Sequence, residues 1–428
     1  EALALKDLLS FIFRSFRPKG LQDDKKVFET MSWKKLLDPK IHDFIREHQD
    51  ADVPALALKK PPHKDWPWKL ILDQIKARQK AKIKMPEWLY HQNIVFPPPN
   101  IIEQASSAAT AHYKAELITG KTFIDLTGGA GVDCQAFAAE FESGICIERD
   151  QDAAELLSHN MSLLCGDAVV VHHAAAENFL AQMPPVDLAY LDPQRRTENK
   201  KGFYRFEDCT PNIVEIFPTL AAKSKKVMIK ASPMLDVWEG IRSLEFVESV
   251  HIVEWQGECK ELLYILNPLQ KINLNDIPVT AAKINDNGEP IYHFTFTKAQ
   301  EEEASSHITM PYKFLYEPGP AFQKAGAFNA LALGYKLQKL HQHTHLYTAE
   351  SQHPDFPGHM YEVLDILPVD KKSLPIKKAN LKLRNFPGTV ETLRRKLGLE
   401  DGGEDFLFAC TLADERRALI HARKIQRI

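Results

Sequence analysis

The sequence predicts an α/β protein built on a mostly parallel, Rossmann-like sheet. Between about residues 101 and 268, helix-type patterns alternate with short apolar runs typical of buried strands. One run, 122–126, leads directly into a glycine-rich turn and then a helix-type pattern, and a second run ends in Asp192-Pro193. Ligands bind beyond the carboxyl ends of parallel strands, so we expect a ligand site where these two runs end.

Length and changes of pattern indicate several domains. The 428 residues exceed the ~100–200 residues of one ordinary domain. The pattern divides the chain into a helical N-terminal region at 1–98, the parallel-sheet core at 99–269, an α+β module at 270–365 and a basic module at 366–428.

Composition predicts a cytoplasmic protein without membrane segments. Hydrophobic residues make up 44% of the chain and charged residues 26%, and no apolar run approaches the ~18 residues of a membrane helix. The six cysteines are widely spaced and form no C-x-x-C pair, which favours reduced thiols. Five histidines between residues 341 and 359 lack the carboxylate or cysteine that completes a standard motif, so we predict no metal site.

The glycine-rich turn predicts a cationic ligand. A dinucleotide site would show G-x-G-x-x-G, which seats a pyrophosphate on the following helix. Here the last glycine is followed by Val132 and Asp133, and the Asp133 carboxylate would repel a phosphate. An acidic site suits the amino-acid end and sulfonium of S-adenosylmethionine. The residues predicted to bind this cofactor are Asp125, Thr127, Gly128, Gly129, Gly131 and Asp133.

Acidic residues after the next two strands are candidates for the ribose and the adenine. The apolar run 144–148 ends in Glu148, and a carboxylate at the tip of the second strand can accept hydrogen bonds from both ribose hydroxyls. After the third strand-like run, Ala175 stands where many proteins that bind this cofactor have an adenine-binding Asp. Either Glu177 takes over this contact, or apolar packing and backbone groups hold the adenine.

The run 186–191 ends in the predicted reaction centre, which also contains Pro193 and Arg195. Methyl transfer to nitrogen needs the lone pair aimed at the methyl carbon and an acceptor for the N–H, and Asp192 suits that role. Pro193 would fix the turn. Arg195, together with Arg196, could hold a substrate phosphate or base edge. A strand cap for Asp192 and structural ion pairs for the two arginines are the alternatives.

Two departures from common patterns reduce the choice of atom that could accept the methyl group. Base-flipping enzymes that methylate amino groups often have an aromatic residue where this chain has Arg195, so we expect the stacking ring from Phe203, Tyr204 or Phe206. Methylation at a pyrimidine C5 uses a cysteine nucleophile, commonly beyond the fifth strand, and residues 231–233 contain none. Transfer to nitrogen or oxygen is therefore preferred.

The C-terminal module carries a charge that the rest of the chain lacks. From Lys371 onward, fourteen residues are basic and seven acidic, a difference of +7 in a chain whose net charge is −3. Such asymmetry favours a face that binds a polyanion, most simply RNA or DNA phosphate, although a solvated surface offset by neighbouring acids is the alternative. The predicted RNA contacts are Arg196, Lys377, Lys378, Lys382, Arg384, Arg394 and Arg395.

Several of these features resemble class I methyltransferases. The glycine turn resembles their motif I, Glu148 their ribose-binding acid, and residues 192–195 a variant of the Asp-Pro-Pro-x motif. Segment 103–114 resembles the pre-core segment that closes over the cofactor in many such enzymes, and this resemblance implies polar contacts from Gln104 and Thr110.

Together with 317–326, 378–387 and 394–398, the pre-core segment is similar to bacterial methyltransferases that end in a THUMP-like domain. The resemblance implies a helical N-terminal region, a methyltransferase core, a ferredoxin-like domain and a THUMP-like C-terminus over the four ranges above. THUMP domains accompany RNA-modifying enzymes, so the resemblance also implies an RNA partner such as tRNA or rRNA.

We therefore expect an S-adenosylmethionine-dependent methyltransferase acting on a nitrogen of a structured RNA, with a ribose oxygen as second choice. A small-molecule or protein methyltransferase is an alternative, and so is a catalytically silent RNA-binding protein with the same fold. A Rossmann dehydrogenase is disfavoured by Asp133 and by the glycine spacing.

Overall fold

The computed structural model describes residues 33–195 and 205–426, and this part begins with a helical region. The region contains the helices Pro39–Glu47 (α1), Val53–Ala57 (α2) and Trp68–Lys84 (α3), with 3-10 turns at Trp33–Leu37 and Pro86–Tyr90. The side chains of Asp38 and Asp52 accept hydrogen bonds from first-turn backbone N–H groups, which explains where α1 and α2 begin.

Strands dominate the middle of the described chain. In order they are Thr122–Asp125 (β1), Ser143–Glu148 (β2), Val169–His173 (β3), Val186–Leu191 (β4), Gln194–Arg195 (β5), Cys209–Thr210 (β6), Ser224–Ala231 (β7), Val247–Trp255 (β8), Glu258–Leu266 (β9), Val279–Ile284 (β10) and Pro290–Phe296 (β11). The short β5 and β6 pair only with each other, and the other nine form one sheet of the described residues, in the order β3-β2-β1-β4-β7-β9-β8-β10-β11.

The sheet order confirms the predicted Rossmann-like class. Strands β3, β2, β1, β4 and β7 are parallel neighbours, and β9 runs antiparallel between β7 and β8. The chain builds outward from β1 to β3 and then returns to β4 on the other side of β1. The carboxyl ends of β1 and β4 therefore lie at the topological switch point, where such sheets bind ligands.

Helices cover both faces of this sheet because strand side chains alternate in direction. The helices are Pro99–Gln104 (α4), Ala108–Glu116 (α5), Val132–Glu140 (α6), Gln151–Leu164 (α7), Ala176–Phe179 (α8), Ile213–Lys223 (α9) and Val237–Ser243 (α10). Ile124 of β1 packs in one core cluster with Ile213 and Leu220 of α9, whereas its neighbour Phe123 packs in another with Phe137 of α6. None of the described helices combines the length and apolar character needed to cross a membrane.

The core sheet continues beyond residue 269, where the sequence placed the end of the core. Strand β10 pairs in parallel with β8, with Val279 opposite Val250, and β11 pairs antiparallel with β10 at the edge. Residues 279–296 thus belong to the first sheet, although the predicted α+β module began at 270. The domain limits themselves stay a prediction.

A second sheet follows. Its strands are Phe314–Pro318 (β12), Gln338–Lys339 (β13), Tyr347–Ala349 (β14), Gly358–Leu367 (β15), Asn380–Arg384 (β16), Asp405–Thr411 (β17) and Arg417–Lys424 (β18), and the accompanying helices are Lys298–Glu303 (α11), Pro320–Ala325 (α12), Phe328–Gly334 (α13) and Val390–Leu397 (α14). The order is β13-β14-β12-β15-β18-β17-β16. Helix α14 connects the parallel strands β16 and β17, and buries Leu393 and Leu397 against Leu407 and Leu419.

The two sheets meet at the end of β12. The buried Glu254 carboxylate of β8 accepts a hydrogen bond from the backbone N–H of Ala321, at 3.2 Å. A Cβ on Gly319 would overlap that carboxylate, and a Cβ on Gly358 would overlap the carbonyl oxygen of Glu317. Close approach therefore favours glycine at both positions, 319 and 358.

We expect Gly358→Ala to lower the free energy of unfolding by about 1–3 kcal/mol, because the new methyl group can be accommodated only by moving the backbone of β12. Gly257→Ala is the matched control. It has no atom within 4 Å of the new methyl group and costs only the left-handed backbone strain at φ +78°, about 1 kcal/mol. Urea unfolding measures both variants, and an equal loss would contradict the close-packed joint.

Candidate functional site

The glycine turn between β1 and α6 is built for close approach of a ligand. Gly129 and Gly131 have φ values of +50° and +87°, in the left-handed region that favours glycine. A Cβ on Gly131 would lie 2.5 Å from Leu157 Cδ1, so this glycine also lets α6 pack on α7. By contrast, the nearest atom to a Cβ on Gly129 is a carbonyl oxygen at 3.7 Å, and this part of the turn is open.

The Glu148 carboxylate at the tip of β2 is held against this turn. Its Oε2 accepts a hydrogen bond from the N–H of Gly129 at 3.0 Å, and its Oε1 accepts one from the N–H of Asp150 at 2.9 Å. The two backbone donors orient the carboxylate, and each oxygen keeps a lone pair for a further donor. This is the arrangement that a pair of neighbouring hydroxyl groups on a ligand requires.

A threonine joins the ends of β1 and β4. Asp125 Oδ1 accepts a hydrogen bond from the N–H of Thr127 at 2.9 Å, and Thr127 Oγ1 accepts one from the N–H of Asp192 at 2.7 Å. Burial raises the pKa of Asp125 to about 8, despite the Thr127 N–H that acts in the opposite direction. The residue therefore holds its proton at neutral pH.

Asp192, the predicted reaction-centre acid, forms an ion pair with Lys230 of β7. Lys230 Nζ donates to Asp192 Oδ2 at 2.6 Å, while 35% of the Asp192 side chain stays exposed. Burial alone would lower the pKa of Lys230, but Asp192, Asp133 and Glu261 raise it well above its ordinary value. The carboxylate is thus held by a permanent cation and is still accessible to a substrate.

Beneath the turn lies a buried charge cluster that the sequence analysis missed. Lys114 of α5 is fully buried, and its Nζ lies 2.8 Å from Glu261 Oε1 and 3.0 Å from Asp133 Oδ1. Asp133 Oδ2 also accepts hydrogen bonds from the hydroxyls of Ser106 and Tyr190. Lys114 and Lys230 outweigh burial and hold the pKa of Asp133 below its ordinary value, whereas burial raises that of Glu261.

Little in the sequence could have revealed this cluster. Lys114 and Glu261 are 147 positions apart, and Glu261 follows Glu258 and Lys260 at the polar start of β9, where an exposed acid is the ordinary expectation. One signal was available: Lys114 lies on the same face of its helix as Ala111 and Ala115, and all three are buried. A buried lysine requires a buried carboxylate, but only the fold identifies which one.

Three further predicted cofactor contacts come from α4, α5 and α8. Thr110 is buried, and its hydroxyl donates to the carbonyl of Ser107 and accepts from its N–H, which caps α5. Gln104 is exposed at the last position of α4, and Glu177 is exposed on α8, which follows β3. Their contacts with a cofactor stay predictions.

The arginine pair and the predicted aromatic residues are only partly described. Pro193 is buried, and Arg195 lies half-buried on β5, paired with β6. Arg196 and residues 203–204 lie outside the described residues. Phe206 is fully buried, edge-on to Tyr264 with ring centroids 5.5 Å apart, so this ring cannot stack on a base.

Two of the predicted RNA contacts are ion-paired inside the second sheet. Lys382 and Arg384 of β16 both bind the buried carboxylate of Glu317, with Arg384 Nη2 at 2.7 Å from Oε1. Tyr361 donates its hydroxyl to the same carboxylate at 3.0 Å. Lys382 and Arg384 therefore tie β16 to β12, and part of the C-terminal positive charge is compensated within the protein.

The other predicted RNA contacts of this module are exposed or partly exposed. Lys377, Lys378 and Arg395 are exposed. Arg394 forms an ion pair with Asp401 at 2.6 Å, and 25% of its side chain is exposed. A basic surface on and beside α14 thus remains available to a polyanion.

One buried group among the described residues has the proximity of a metal site. Ligand atoms of Asp125, Cys134 and Cys146 lie within 4.8 Å of one another. The hydrogen bond with Cys134 and burial raise the pKa of Cys146; at Cys134 the same hydrogen bond lowers the pKa, but burial and nearby carboxyl groups outweigh it, so both thiols disfavour the thiolate form that binds metals. The histidine-rich stretch forms no such group among the described residues: His341 contacts Glu415, and the ring of His345 stacks on a phenylalanine.

Two family models match adjacent parts of the chain. A ferredoxin-like domain matches residues 314–357, and a THUMP domain-like model matches residues 358–424. The junction falls at the start of β15, so both matched parts contribute strands to the second sheet.

One solved structure is similar over nearly the whole chain. It is described as a "putative methyltransferase" from Porphyromonas gingivalis W83, with 30% sequence identity, a TM-score of 0.82, and coverage of 92% of this chain and 99% of that one. Sheet order and site define the class as a methyltransferase with a Rossmann-like core. The chain belongs to the bacterial family of such methyltransferases that carry ferredoxin-like and THUMP-like C-terminal domains, which confirms the resemblance in the sequence.

Other similarities are weaker. The match to an rRNA methylase from Streptococcus thermophilus has 16% identity and a TM-score of 0.28, and it covers 38% of this chain and 94% of the methylase chain. The match to TrmN from Thermus thermophilus has 15% identity and a TM-score of 0.31, and it covers 40% of this chain and 50% of the TrmN chain. At these TM-scores neither supports a functional argument. A search of curated proteins found no match.

We expect Lys114→Met to lower the free energy of unfolding by about 3–5 kcal/mol, because two buried carboxylates lose their cation. Without Lys114, the pKa values of Asp133 and Glu261 should rise in the folded state. A raised carboxyl pKa destabilises the folded protein increasingly as pH rises through that pKa, so the loss of unfolding free energy should be larger at pH 8 than at pH 5.5. Urea unfolding at both pH values measures it. The control is Lys121→Met, which removes an exposed lysine paired with Glu142. A pH-independent deficit, or one no larger than the control's, would refute the cluster's role.

Proposed function

We propose that this methyltransferase uses S-adenosylmethionine to methylate a base nitrogen of a structured RNA, with a ribose oxygen as the second choice of acceptor. One observation carries the proposal. Glu148 is oriented on the open glycine turn, and Asp192 is tied to the same turn through Thr127. A cofactor side and an acceptor side thus meet at the switch point of the sheet.

The residues around the turn fit this cofactor. Glu148 keeps lone pairs for two ribose hydroxyls, and the open space at Gly129 allows close approach. Asp133 contributes negative charge through its field, because both its oxygens have partners within the protein. Asp125 would add negative charge only on losing its proton, which a bound cation favours. When bound, S-adenosylmethionine supplies an electrophilic methyl group on a sulfonium.

On the acceptor side, Asp192 orients and deprotonates the attacking group. Lys230 holds Oδ2, and no described residue hydrogen-bonds Oδ1, which can accept the N–H of the acceptor nitrogen. This aims the nitrogen lone pair and receives the proton as the N–CH₃ bond forms. The buried Pro193 holds the turn that presents the carboxylate.

Support for RNA comes from the THUMP-like domain and from the basic surface of Lys377, Lys378 and Arg395. Lys382 and Arg384 serve the joint with β12, and we assign phosphate binding to the exposed residues. Arg196 stays a predicted RNA contact.

The function is tested by incubating the protein with methyl-labelled S-adenosylmethionine and total RNA from cells that lack its gene. We expect label in RNA, and Asp192→Asn should reduce kcat by about 10²–10⁴-fold because the proton acceptor is lost. The control Glu140→Gln, at the exposed end of α6, should keep full activity.

Label confined to small molecules or protein would favour the alternative methyltransferases and refute the RNA substrate. Absence of S-adenosylmethionine binding by calorimetry would favour a catalytically silent RNA-binding protein. Nucleoside mass spectrometry of the labelled RNA then identifies the methylated atom.

We also expect S-adenosylmethionine binding to release protons at pH 7. Asp125 is mostly protonated there because its pKa is about 8, and a nearby cation lowers that pKa. Cofactor affinity should therefore rise between pH 6 and pH 8. Calorimetry in two buffers with different ionisation enthalpies measures the release, and Asp125→Asn should abolish the difference between buffers. Equal heats in both buffers for the unmodified protein would contradict this assignment.

A further inference from the structure

Met234 is a large apolar side chain that the fold holds in contact with water. It is 82% exposed, whereas the next residue, Leu235, is 1% exposed and belongs to the core. Two hydrogen bonds close the turn that carries both residues. Ser232 Oγ accepts from the N–H of Met234 at 3.2 Å, and the Ser232 carbonyl accepts from the N–H of Leu235 at 3.0 Å. Because Leu235 anchors a hydrogen-bonded turn, the backbone itself presents Met234 to solvent.

This turn lies at the edge of the sheet where Asp192 lies. It follows directly on β7, the parallel neighbour of β4, and Leu191 is opposite Ile229 in their register. The next residue of β7, Lys230, binds Asp192 at 2.6 Å, and Met234 comes four residues later. Four residues span at most about 14 Å when fully extended, and the turn shortens that distance. The Met234 side chain is therefore at the rim of the acceptor site.

Strand order puts Met234 on the side of Asp192 that faces away from the cofactor residues. Glu148, the candidate ribose ligand, ends β2, and the sheet order from there is β2-β1-β4-β7. At ~4.8 Å per strand, β7 is about 14 Å from β2, and Asp192 at the end of β4 lies between them. A cofactor at the glycine turn would approach Asp192 from one side, which leaves the Met234 side for the acceptor.

The acceptor site needs an apolar surface if the acceptor is a base. A base turned out of its stack loses stacking energy, which packing in the site has to offset. Of the aromatic residues predicted for this packing, the one described, Phe206, is fully buried. A methionine thioether also packs well on an aromatic ring. Val214, 44% exposed in the first turn of α9 just after the β5–β6 pair, adds a second apolar side chain at this edge.

We propose that Met234 is the apolar platform on which the target nucleobase packs while Asp192 accepts the N–H of the nitrogen to be methylated. This assignment rests on the proposed function and narrows its acceptor to a planar heterocyclic base, not a ribose hydroxyl. Packing on a ring face tolerates every base, because each has a π-face. The platform would therefore hold the base, and the hydrogen bond to Asp192 would select the atom.

The test compares Met234→Ala with Met234→Leu and with a matched control, Leu269→Ala. Leu269 is 89% exposed in a turn closed in the same way by Asn267, but that turn follows the antiparallel β9 and lies at the opposite edge of the sheet. Methyl transfer from labelled S-adenosylmethionine to subsaturating total RNA, taken from cells that lack the gene, gives the relative kcat/KM.

We expect Met234→Ala to lower kcat/KM about 10-fold, because the base loses its packing surface. Met234→Leu should stay within about 3-fold, since leucine has similar volume and apolar character. Leu269→Ala should keep full activity. Urea unfolding should be unchanged in both alanine variants, because both side chains are exposed. Methylation by Met234→Ala at the rate of the unmodified protein would refute the platform.

Calorimetry with S-adenosylmethionine separates a base platform from a cofactor contact. We expect all three variants to bind the cofactor with the affinity of the unmodified protein. If Met234→Ala loses about 10-fold in cofactor affinity, Met234 packs on the cofactor and the proposal is wrong.

A measurement without catalysis distinguishes failure of the platform from failure of the proposed function. The eight methionine methyl groups are labelled with ¹³C and followed by NMR, and the Met234 signal is identified by its loss in Met234→Leu. The 5′-monophosphates of adenosine, guanosine, cytidine and uridine are added in turn. We expect at least one to move the Met234 signal upfield, because the methyl group then lies over an aromatic ring, while the signals of the buried Met161 and Met228 stay in place.

The two failures give different results. An upfield shift in a protein that does not methylate RNA would support the base platform and refute the RNA substrate. If none of the four nucleotides moves the Met234 signal, the platform is refuted, and methylation of RNA by the same protein would leave the proposed function intact.

Discussion

The buried Lys114 ammonium is the interaction on which the site depends, because it joins three elements that the chain supplies far apart. It lies between Asp133 at the start of α6 and Glu261 on β9, and Ser106 of the pre-core segment donates to the same Asp133 carboxylate. Removing any one of these charged groups would leave another buried without compensation, which costs several kcal/mol. The cluster therefore fixes α6, and with it the glycine turn, relative to α5 and Ser106.

Above this cluster, strand topology separates two kinds of chemistry. Under the proposed function, Glu148 at the end of β2 would accept hydrogen bonds from the ribose of the cofactor, and Asp192 at the end of β4 would accept one from the attacking nitrogen. The glycine turn links the two, because Gly129 donates to the Glu148 carboxylate and the Thr127 hydroxyl accepts from the Asp192 N–H. The proposed transfer from donor to acceptor would need no covalent intermediate with the protein.

Charge in the C-terminal half has two uses. Glu317 forms ion pairs with Lys382 and Arg384 and so links β12 to β16. Glu254 accepts a hydrogen bond from Ala321, just after β12, and so links this end of β12 to the core sheet. The positive excess counted along the chain is therefore an upper bound on the charge available to RNA. Under the proposed function, the exposed basic residues of this module are the ones that would contact RNA.

The sequence by itself determined the parts of the site that depend on local spacing. The glycine turn, the acid ending β2 and the Asp192-Pro193 end of β4 were all predictable, because turn conformation and strand ends are set by neighbouring residues. Tertiary structure decided which charges meet. Lys114 and Glu261 join across 147 positions through strand register, Phe206 is buried away from any base, and Lys382 binds an acid within the sheet. Such pairings depend on how helices and strands pack, which no local pattern encodes.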